Sequence, residues 1–379
     1  MSQTEKRTNT VPNLTQTPQR HLSVDVLRGF TMFWIVGGDS FFRALFQWIG
    51  GWPEKHLIPQ LDHAAWEGFH FFDLIFPLFE FVVGMSIVFS LQKILEKQGQ
   101  KAAYLRVLKR ALLLYLLGII YYGGISGGVE GIRLLGVLQR LALTYLFASI
   151  LFIHFQWRGM AIAFAALLIG YWAWLSFVPV PEFGAVSFAE GKNWANWVDM
   201  KYLPFFKWDG KWDPEGLLST LPAIGSCLLG VFASLLLVNK NLSSTKKAYY
   251  FIGGGMAMLV VGYLWGLQFP IIKKIWTSSY VLVGGGYCFM LLGLFYWLLD
   301  LRGWQKWARP FVWLGMNPIT IYMVWNVMNF YHLAERIVGA PSRCFWGEKV
   351  GFFLVATVTL ALVLALVRFL YNRKIFLRL

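Results

Sequence analysis

Residues 61–81 carry the side chains best suited to chemistry. His63 directly follows Asp62 in a polar stretch, and two further acids, Asp73 and Glu80, continue into an apolar run. Histidine changes its charge near neutral pH and can accept a proton from a reacting group. Ionisable groups at membrane depth are costly and usually serve function. The stretch therefore predicts an acid–base site at the edge of a membrane.

More charged residues are predicted to meet beneath His63. Asp73 and Glu80 are seven residues apart and share a helix face, and Asp39 lies inside an earlier apolar run. At about 1.5 Å per residue, Asp39 and Glu80 reach a similar depth, where two acids can share a proton. With Arg43 and Arg140, these acids predict one buried cluster that opens outward. A purely structural ion network remains the alternative interpretation.

Two other polar positions interrupt apolar segments. Asp25 and Arg28 are three residues apart and can pair on one helix face. Asn317 follows Gly315-Met316 and precedes Pro318, an interruption that frees backbone groups to find partners in the protein or in a cavity. We expect Asn317 to line the same interior as the buried cluster.

The composition indicates the compartment of these residues. Of 379 residues, 57% are hydrophobic and 14% charged, and the mean hydropathy is +0.55, which predicts an integral membrane protein. The net charge of +15 is interpreted as a topology signal at the membrane surface, and no nucleic-acid motif is present. Three widely spaced cysteines, Cys227, Cys288 and Cys344, favour neither a disulfide framework nor a metal site.

The predicted fold is an all-α polytopic membrane protein with about ten transmembrane helices of roughly 20 residues each. The spans lie near 26–48, 70–92, 103–121, 132–154, 160–178, 216–238, 248–266, 278–299, 309–331 and 350–371. An even number places both termini on one side. Placing them in the cytoplasm puts the larger share of Lys and Arg inside, as the positive-inside rule requires.

The connections between the spans also carry predictions. Residues 179–215 form a long outer loop with Trp194, Trp197, Trp208 and Trp212, which are interpreted as interfacial anchors, as a sugar-stacking surface, or as both. Asp213-Pro214-Glu215-Gly216 has the pattern of a helix start. Residues 1–22 are predicted to be a disordered polar leader, and residues 23–379 a single transmembrane domain.

Motifs in one order along the chain resemble the heparan-α-glucosaminide N-acetyltransferase family. They are Ser-Val-Asp-Val-Leu-Arg-Gly-Phe at 23–30, His-Ala-Ala-Trp-Glu-Gly at 63–68, Asp-Leu-Ile-Phe-Pro-Leu-Phe at 73–79, Gly-Val-Leu-Gln-Arg-Leu at 136–141, Asp-Pro-Glu-Gly-Leu-Leu-Ser-Thr at 213–220, Lys-Lys-Ile-Trp-Thr-Ser-Ser-Tyr at 273–280 and Gly-Met-Asn-Pro-Ile-Thr-Ile-Tyr at 315–322. The resemblance implies a transmembrane acyltransferase that moves acetyl from cytosolic acetyl-CoA to an amino sugar on the far side.

The resemblance also assigns roles. The reactive histidine of the family corresponds to His63, which we expect to act as general base or transient acetyl carrier, with Asp39 and Asp73 orienting it or accepting its proton. The residues expected to contact the substrate are Glu80, Gln139, Arg140, Asn317 and Trp66. The residues expected to bind the phosphates of acetyl-CoA are Arg28, Arg106, Lys109 and Arg110. The last three belong to a predicted inner loop, where they serve equally well as topology determinants.

Two positions depart from the family pattern. The family often has Asn where this chain has Asp39, and an apolar residue where it has Glu80, so the resemblance gives Glu80 no role. The lysosomal relative carries an extra lumenal domain before this core, and its absence here implies a bacterial inner-membrane protein with the acceptor site facing the periplasm. A homodimer is left open as the oligomeric state, and membrane lipid is the expected surrounding.

Three other functions remain open at the level of sequence. A proton-coupled transporter would use the same buried acids and Arg140 as a relay. An O-acetyltransferase of envelope polysaccharide would need the same base near an outward-facing sugar site. An inactive scaffold is disfavoured by the density of polar residues in the predicted spans.

Overall fold

The structure is a computed structural model that describes residues 21–376, and the regular elements in this range are all helices. The α-helices are α1 (Leu22–Phe33), α2 (Asp39–Ile49), α3 (Gly51–Leu57), α4 (Ile75–Tyr121), α5 (Val137–His154), α6 (Trp157–Phe177), α7 (Trp194–Tyr202), α8 (Thr220–Val238), α9 (Ser244–Gly266), α10 (Ser278–Phe295), α11 (Arg309–Met316), α12 (Pro318–Val327), α13 (Phe330–Ala334), α14 (Ala340–Trp346) and α15 (Glu348–Asn372). Residues 1–20 of the predicted leader lie outside the described range.

Seven helices in the described range are long and apolar enough to cross a membrane. They are Phe71–Tyr121, Val137–His154, Trp157–Phe177, Thr220–Val238, Ser244–Gly266, Ser278–Leu301 and Glu348–Asn372. Together with the apolar composition, they make the chain a multi-pass membrane protein. The longest spans 51 residues and is divided at Gly99, where φ is 78° and ψ is −178°. This break separates the two crossings that the sequence predicts at 70–92 and 103–121.

Two predicted spans are not continuous helices. The segment predicted at 26–48 changes to a π-helical turn at Trp34–Gly38, where Gly37 has a φ of 113° that favours glycine. The segment predicted at 309–331 is interrupted at Asn317, whose φ of −132° and ψ of 48° are not helical. Breaks in membrane helices are tolerated where neighbouring protein supplies partners for the freed backbone groups.

Close crossings between helices rely on glycine. Gly84 of α4 lies against the carbonyl of Cys227 in α8, and Gly230 of α8 lies against the carbonyl of Phe81 in α4. A Cβ atom at Gly84 would come within 1.8 Å of that carbonyl oxygen. Small residues at such crossings bring backbones together, which favours association in lipid, where burial of apolar surface contributes little.

The long loop between α6 and α8 is folded rather than extended. It contains α7, which Asn193 caps by accepting a hydrogen bond from the backbone N–H of Asn196. Trp194 donates its indole N–H to the carbonyl of Val178 at 2.9 Å and packs against Trp174. Trp194 is therefore an anchor within the protein, while Trp208 is 59% exposed.

The predicted helix start at 213–216 is wrong. Helix α8 begins at Thr220, and residues 213–219 form consecutive turns. The Asp213 carboxylate is committed to Arg133, with a 2.6 Å contact to Nη2, and it also accepts from the backbone N–H of Glu215 at 3.0 Å. Arg133, which is distant in sequence, therefore binds the Asp213 carboxylate that the local sequence pattern predicted to cap the helix.

Candidate active site

His63 and Asp73 are in direct contact, as the sequence predicts for two members of one site. Nδ1 of His63 lies 2.8 Å from Oδ1 of Asp73. The His63 side chain is 49% exposed, whereas the Asp73 side chain is fully buried. Asp73 thus fixes the ring through Nδ1, and Nε2 is the nitrogen that Asp73 does not bind.

The backbone turn before α4 holds Asp73 in place. Its Oδ2 accepts hydrogen bonds from the backbone N–H of Ala64 at 3.1 Å and of His70 at 3.0 Å. The second bond joins the Asp73 carboxylate to the backbone N–H of His70, the residue before its own helical turn, as in a capping box. The backbone carbonyl of Asp73 accepts from the hydroxyl of Tyr280 at 2.7 Å. Asp73 therefore connects the His63 loop, residues 62–70, to both α4 and α10.

Lys273 is the third member of the site, and sequence reasoning did not assign it. Its Nζ lies 2.8 Å from Nδ1 and 3.0 Å from Nε2 of His63, and 3.6 Å from Oδ1 of Asp73. Nζ is nearly equidistant from the two ring nitrogens, whose hydrogen-bonding directions diverge in the plane of the ring. The ammonium therefore lies against the face of the imidazole. The only sequence signal was its place in the motif at 273–280.

Backbone pairing brings Lys273 to the site. Glu67 and Ile272 form an isolated antiparallel bridge, and the N–H of Gly68 donates to the carbonyl of Ile271 at 2.9 Å. The chain then turns at Trp276, a fully buried residue with a φ of 51°, which is an uncommon conformation for a bulky side chain. This turn aims Lys273 at His63 and Trp276 into the core.

The charge on Lys273 is sensitive to pH near neutrality. Burial lowers its pKa from 10.5 to about 8, and the negative charge of Asp73 partly opposes that shift. Lys273 therefore places a largely protonated ammonium beside His63 at neutral pH. A positive charge at this point can stabilise an oxyanion or a thiolate that develops next to the imidazole.

Arg140 packs against Trp276, the buried residue at this turn. Its guanidinium stands 4.8 Å from the centroid of the Trp276 ring. Nη2 donates to the hydroxyl of Ser219 and, at 3.4 Å, to the carbonyl of Gly216. Arg140 is fully buried, and its cation–π contact and hydrogen bonds fix its position.

Glu80 and Gln139 flank Arg140. Glu80 is fully buried, and in the described part of the chain neither of its carboxylate oxygens has a hydrogen-bond partner. Gln139 donates from Nε2 to the carbonyl of Arg133 at 3.0 Å, and its Oε1 is likewise without a partner. The predicted substrate residues of α4 and α5 therefore lie together in the buried interior.

The predicted five-residue cluster is divided in the structure. Arg43 binds Oδ1 of Asp62 at 2.8 Å and the carbonyl of Leu61 at 3.2 Å, so it holds the start of the His63 loop. Asp39 accepts from the hydroxyl of Ser40 at 3.3 Å. Among residues 21–376 it has no hydrogen bond or ion pair with His63, Asp73 or Glu80. The break at Trp34–Gly38 interrupts the straight helix on which the predicted equal depth of Asp39 and Glu80 was based, and their pairing stays a prediction.

The side chains of Trp66 and Asn317 donate hydrogen bonds to backbone carbonyls of other segments. The indole of Trp66 donates to the carbonyl of Phe188 at 2.9 Å, which joins the loop that carries His63 to the long loop between α6 and α8. Asn317 donates from Nδ2 to the carbonyl of Ile375 at 2.9 Å, close to the crossing where Gly315 packs on Asp25 of α1. That Asn317 lines the same interior as the buried cluster stays a prediction.

A second buried ion network surrounds Arg133. Its side chain contacts both oxygens of Asp213, at 2.6 and 2.9 Å, and Oε2 of Glu215 at 2.5 Å. The rings of Tyr122 and Trp208 cover the guanidinium. Nearby Asp199 accepts from the N–H of Leu217 at 2.8 Å, and burial raises its pKa to about 7. This network fixes the turns that support Arg140.

The residues predicted to bind acetyl-CoA phosphates occupy different surroundings. Arg106 and Lys109 are exposed on the half of α4 that follows Gly99. Arg110 turns inward, donating to the hydroxyl of Ser86 at 3.1 Å and stacking over Tyr145. Arg28 pairs with Asp25 at 3.6 Å, as the spacing predicts, and contacts the carbonyl of Gly315. Within residues 21–376 no group of side chains has the composition of a metal site.

Comparison with known proteins gives one consistent result. The chain is 27% identical to the heparan-alpha-glucosaminide N-acetyltransferase of Homo sapiens over 428 aligned residues, which cover 96% of this chain and 60% of that protein. The chain is similar to the heparan-alpha-glucosaminide N-acetyltransferases. The Mus musculus protein of that name is 26% identical over 376 residues, covering 83% of this chain and 56% of that protein.

These matches confirm the resemblance predicted from the motifs. The chain spans about 60% of the length of the curated relatives it matches. No family model matches it. The similarity therefore supports the family that the motifs suggest.

Proposed function

We propose that the protein is a transmembrane acetyltransferase that moves acetyl from cytosolic acetyl-CoA to the amine of an amino sugar or glycan on the far side of the membrane. Its relatives are named as N-acetyltransferases. The observation that carries the proposal is the contact of His63 with Asp73 and Lys273 in the segment before α4. This arrangement supplies an oriented base beside a positive charge.

The proposed reaction uses these three side chains in defined roles. Nε2 of His63 takes a proton from the acceptor amine as its nitrogen attacks the thioester carbonyl carbon. The ammonium of Lys273 stabilises the developing oxyanion. The carbon–sulfur bond then breaks, and the CoA thiolate receives the proton held by His63. The products are an N-acetylated sugar and CoA thiol.

A two-step route uses the same atoms. Nε2 of His63 would attack the thioester carbonyl carbon, and the carbon–sulfur bond would break to release CoA thiolate. The acceptor amine would then displace the acetyl group from Nε2, and its proton would pass to the thiolate. Asp73 would orient the ring in either route. Asp39, which the sequence assigns to the same site, would act from a distance through the electrostatic field rather than by contact.

We propose that the donor enters from the cytoplasmic side. Arg106 and Lys109 are exposed cations next to the Gly99 break and suit the phosphates of CoA. Arg28 and Arg110 complete the proposed set of cations, from the inner part of the bundle. The pantetheine arm would then reach His63 through the polar interior around Arg140.

The same proposal includes the topology and the location. Counting α4 as two crossings, and each interrupted pair α1–α2 and α11–α12 as one, raises the seven apolar helices to ten crossings with both termini in the cytoplasm. Residues 23–379 would form one transmembrane domain preceded by the leader at 1–22. The proposed location is the bacterial inner membrane, with the acceptor site facing the periplasm.

Mass spectrometry of products tests this function. The purified protein is incubated with isotope-labelled acetyl-CoA and glucosamine, and CoA release is followed in parallel. The proposal expects a labelled amide that survives hydroxylamine, whereas an O-acetyltransferase would give a hydroxylamine-labile ester. Solute uptake into proteoliposomes without CoA release would instead identify a transporter and contradict the proposal.

A further inference from the structure

Two buried side chains beneath His63 have hydrogen-bonding capacity that the protein does not fill. Glu80 of α4 is fully buried, and both of its carboxylate oxygens are unpartnered among residues 21–376. Arg140 of α5 is fully buried, and its Nε and Nη1 are unpartnered in the same range. Nearly all buried polar groups in proteins find a partner, because leaving one unpaired costs free energy. These two groups therefore point to a ligand.

Glu80 and Arg140 lie on two helices, α4 and α5, that pack against each other. The Arg140 guanidinium stands 5.9 Å from the centroid of the Phe76 ring, and Phe76 lies one helical turn before Glu80 on the same face of α4, so the two side chains are near each other. They form no direct ion pair within the described range, since Arg140 is held back by Ser219 and Trp276. An acceptor and a donor thus remain separated in the core of the bundle.

The chemistry of the pair selects its ligand. A carboxylate can only accept hydrogen bonds and a guanidinium can only donate them. Arg140 would attract a phosphate that Glu80 repels, and Glu80 would attract an ammonium that Arg140 repels. A neutral amide fits both groups, because its N–H donates to Glu80 and its C=O accepts from Arg140.

The distance to His63 suits the acyl donor. Glu80 follows Asp73 by seven residues on the same helical segment, which is roughly 10 Å at about 1.5 Å per residue. The pantetheine arm carries two amides, and the one farther from sulfur lies roughly 10 Å from it, the reach of about three residues of extended chain. A thioester at His63 would place that amide near Glu80.

We propose that Glu80 and Arg140 form a subsite for the second amide of the pantetheine arm of the acyl donor. The inference rests on the proposed function, since it takes the donor to be a CoA thioester. It gives a role to the one buried acid that the family resemblance leaves unexplained. Glu80 would be a specificity-determining residue for the donor and would leave the acceptor unaffected.

Donor truncation tests the subsite. S-acetylpantetheine has both amides, whereas S-acetyl-N-acetylcysteamine has only the one nearer sulfur. The wild-type protein should show a kcat/KM roughly 10-fold or more higher for the first donor, the scale of one hydrogen bond to a charged group. Glu80→Leu should reduce that ratio to about 2-fold or less, with the KM for glucosamine unchanged. Glu182→Gln, on the exposed outer loop, should retain the wild-type ratio.

A donor analogue tests the same contact without altering the protein. An acetyl-CoA analogue with an ester oxygen in place of the second amide nitrogen lacks only the N–H proposed to bind Glu80. The wild-type protein should use it roughly 10-fold less efficiently than acetyl-CoA. Equal use of both donors would overturn the subsite, and this result does not depend on whether Glu80→Leu folds.

Binding measurements separate the subsite from the reaction. Titration calorimetry of CoA should give a dissociation constant roughly 10-fold weaker for Glu80→Leu than for wild type. CoA binding that depends on Glu80 in a protein without acetyl transfer would support the subsite and contradict the proposed reaction. Acetyl transfer with an unchanged donor ratio in Glu80→Leu, or a rise only in the KM for glucosamine, would overturn the subsite alone. Absence of both CoA binding and transfer would overturn both.

Discussion

Nδ1 of His63 lies 2.8 Å from Oδ1 of Asp73, and the other oxygen of Asp73 is occupied by two backbone N–H groups. The carboxylate therefore has no freedom to turn away from the imidazole. This arrangement commits one ring nitrogen to orientation and leaves Nε2 for proton or acetyl transfer. The buried side chain of Asp73 is thus a positioning residue for an exposed histidine.

Replacing Asp73 should impair both the site and its loop. Asp73→Asn has one acceptor oxygen where the native side chain uses two, so either the His63 contact or a backbone bond is lost. We expect kcat/KM to fall by about 10² to 10⁴ and the unfolding free energy by about 1–3 kcal/mol. Acetyl-transfer kinetics and thermal unfolding measure the two effects.

Asp62→Asn is the matched control, because Asp62 is an exposed acid in the same loop. Its ion pair with Arg43 is expected to contribute at most about 1 kcal/mol. Wild-type kinetics in Asp73→Asn would contradict the positioning role.

Lys273 should give the rate a descending limb at alkaline pH. Burial lowers its pKa to about 8, so the ammonium that supports the oxyanion is lost as pH rises through that value. Lys273→Arg retains its charge, and the limb should move beyond the measured range. Lys273→Met should be slow at every pH and show no limb. If a limb near pH 8 persists in Lys273→Met, the limb belongs to another group and the assignment to Lys273 is wrong. Lys274→Met, at the neighbouring position, is the control.

The same pKa shift should appear in stability. Below about pH 8 both the folded and the unfolded protein hold the proton of Lys273, and between about 8 and 10.5 the unfolded state holds more of it. This residue therefore makes the unfolding free energy rise with pH across that window. The difference in thermal midpoint between wild type and Lys273→Met, measured from pH 7.5 to 10, should follow this direction. A difference that does not change with pH would contradict the shift.

Arg133 should be important for stability. Arg133→Met leaves the buried carboxylates of Asp213 and Glu215 without their cation, a change that costs about 3–5 kcal/mol. Arg43→Met removes an ion pair with the exposed Asp62 and should cost about 0–1 kcal/mol. Thermal unfolding in the same detergent compares the two variants. Equal losses would show that the Arg133 network is not a structural anchor.

The sequence predicts most clearly what depends on local pattern. Hydropathy identifies the long helices, because a membrane span must be apolar over its whole length. His63 and Asp73 are ten residues apart in the loop and turn that precede α4, so a short stretch of chain brings them together. The i, i+3 pair of Asp25 and Arg28 follows from helix geometry alone.

The sequence does not predict contacts that depend on distant backbone pairing. Lys273 reaches His63 across 210 residues because Glu67 and Ile272 pair and the chain turns at Trp276. Asp213 is taken from its predicted capping role by Arg133, 80 residues away. The depth match of Asp39 and Glu80 assumed straight helices, and the break at Trp34–Gly38 invalidates that assumption.

The central claim is that His63 performs the chemistry, and acetyl transfer by a His63 variant tests it most directly. Labelled acetyl-CoA and glucosamine are supplied to wild type and to His63→Ala, with thermal unfolding confirming that both are folded. His70→Ala, a histidine in the same segment, is the matched control. The account predicts that His63→Ala loses at least about 100-fold in kcat/KM while retaining CoA binding. Wild-type turnover by folded His63→Ala would contradict the account.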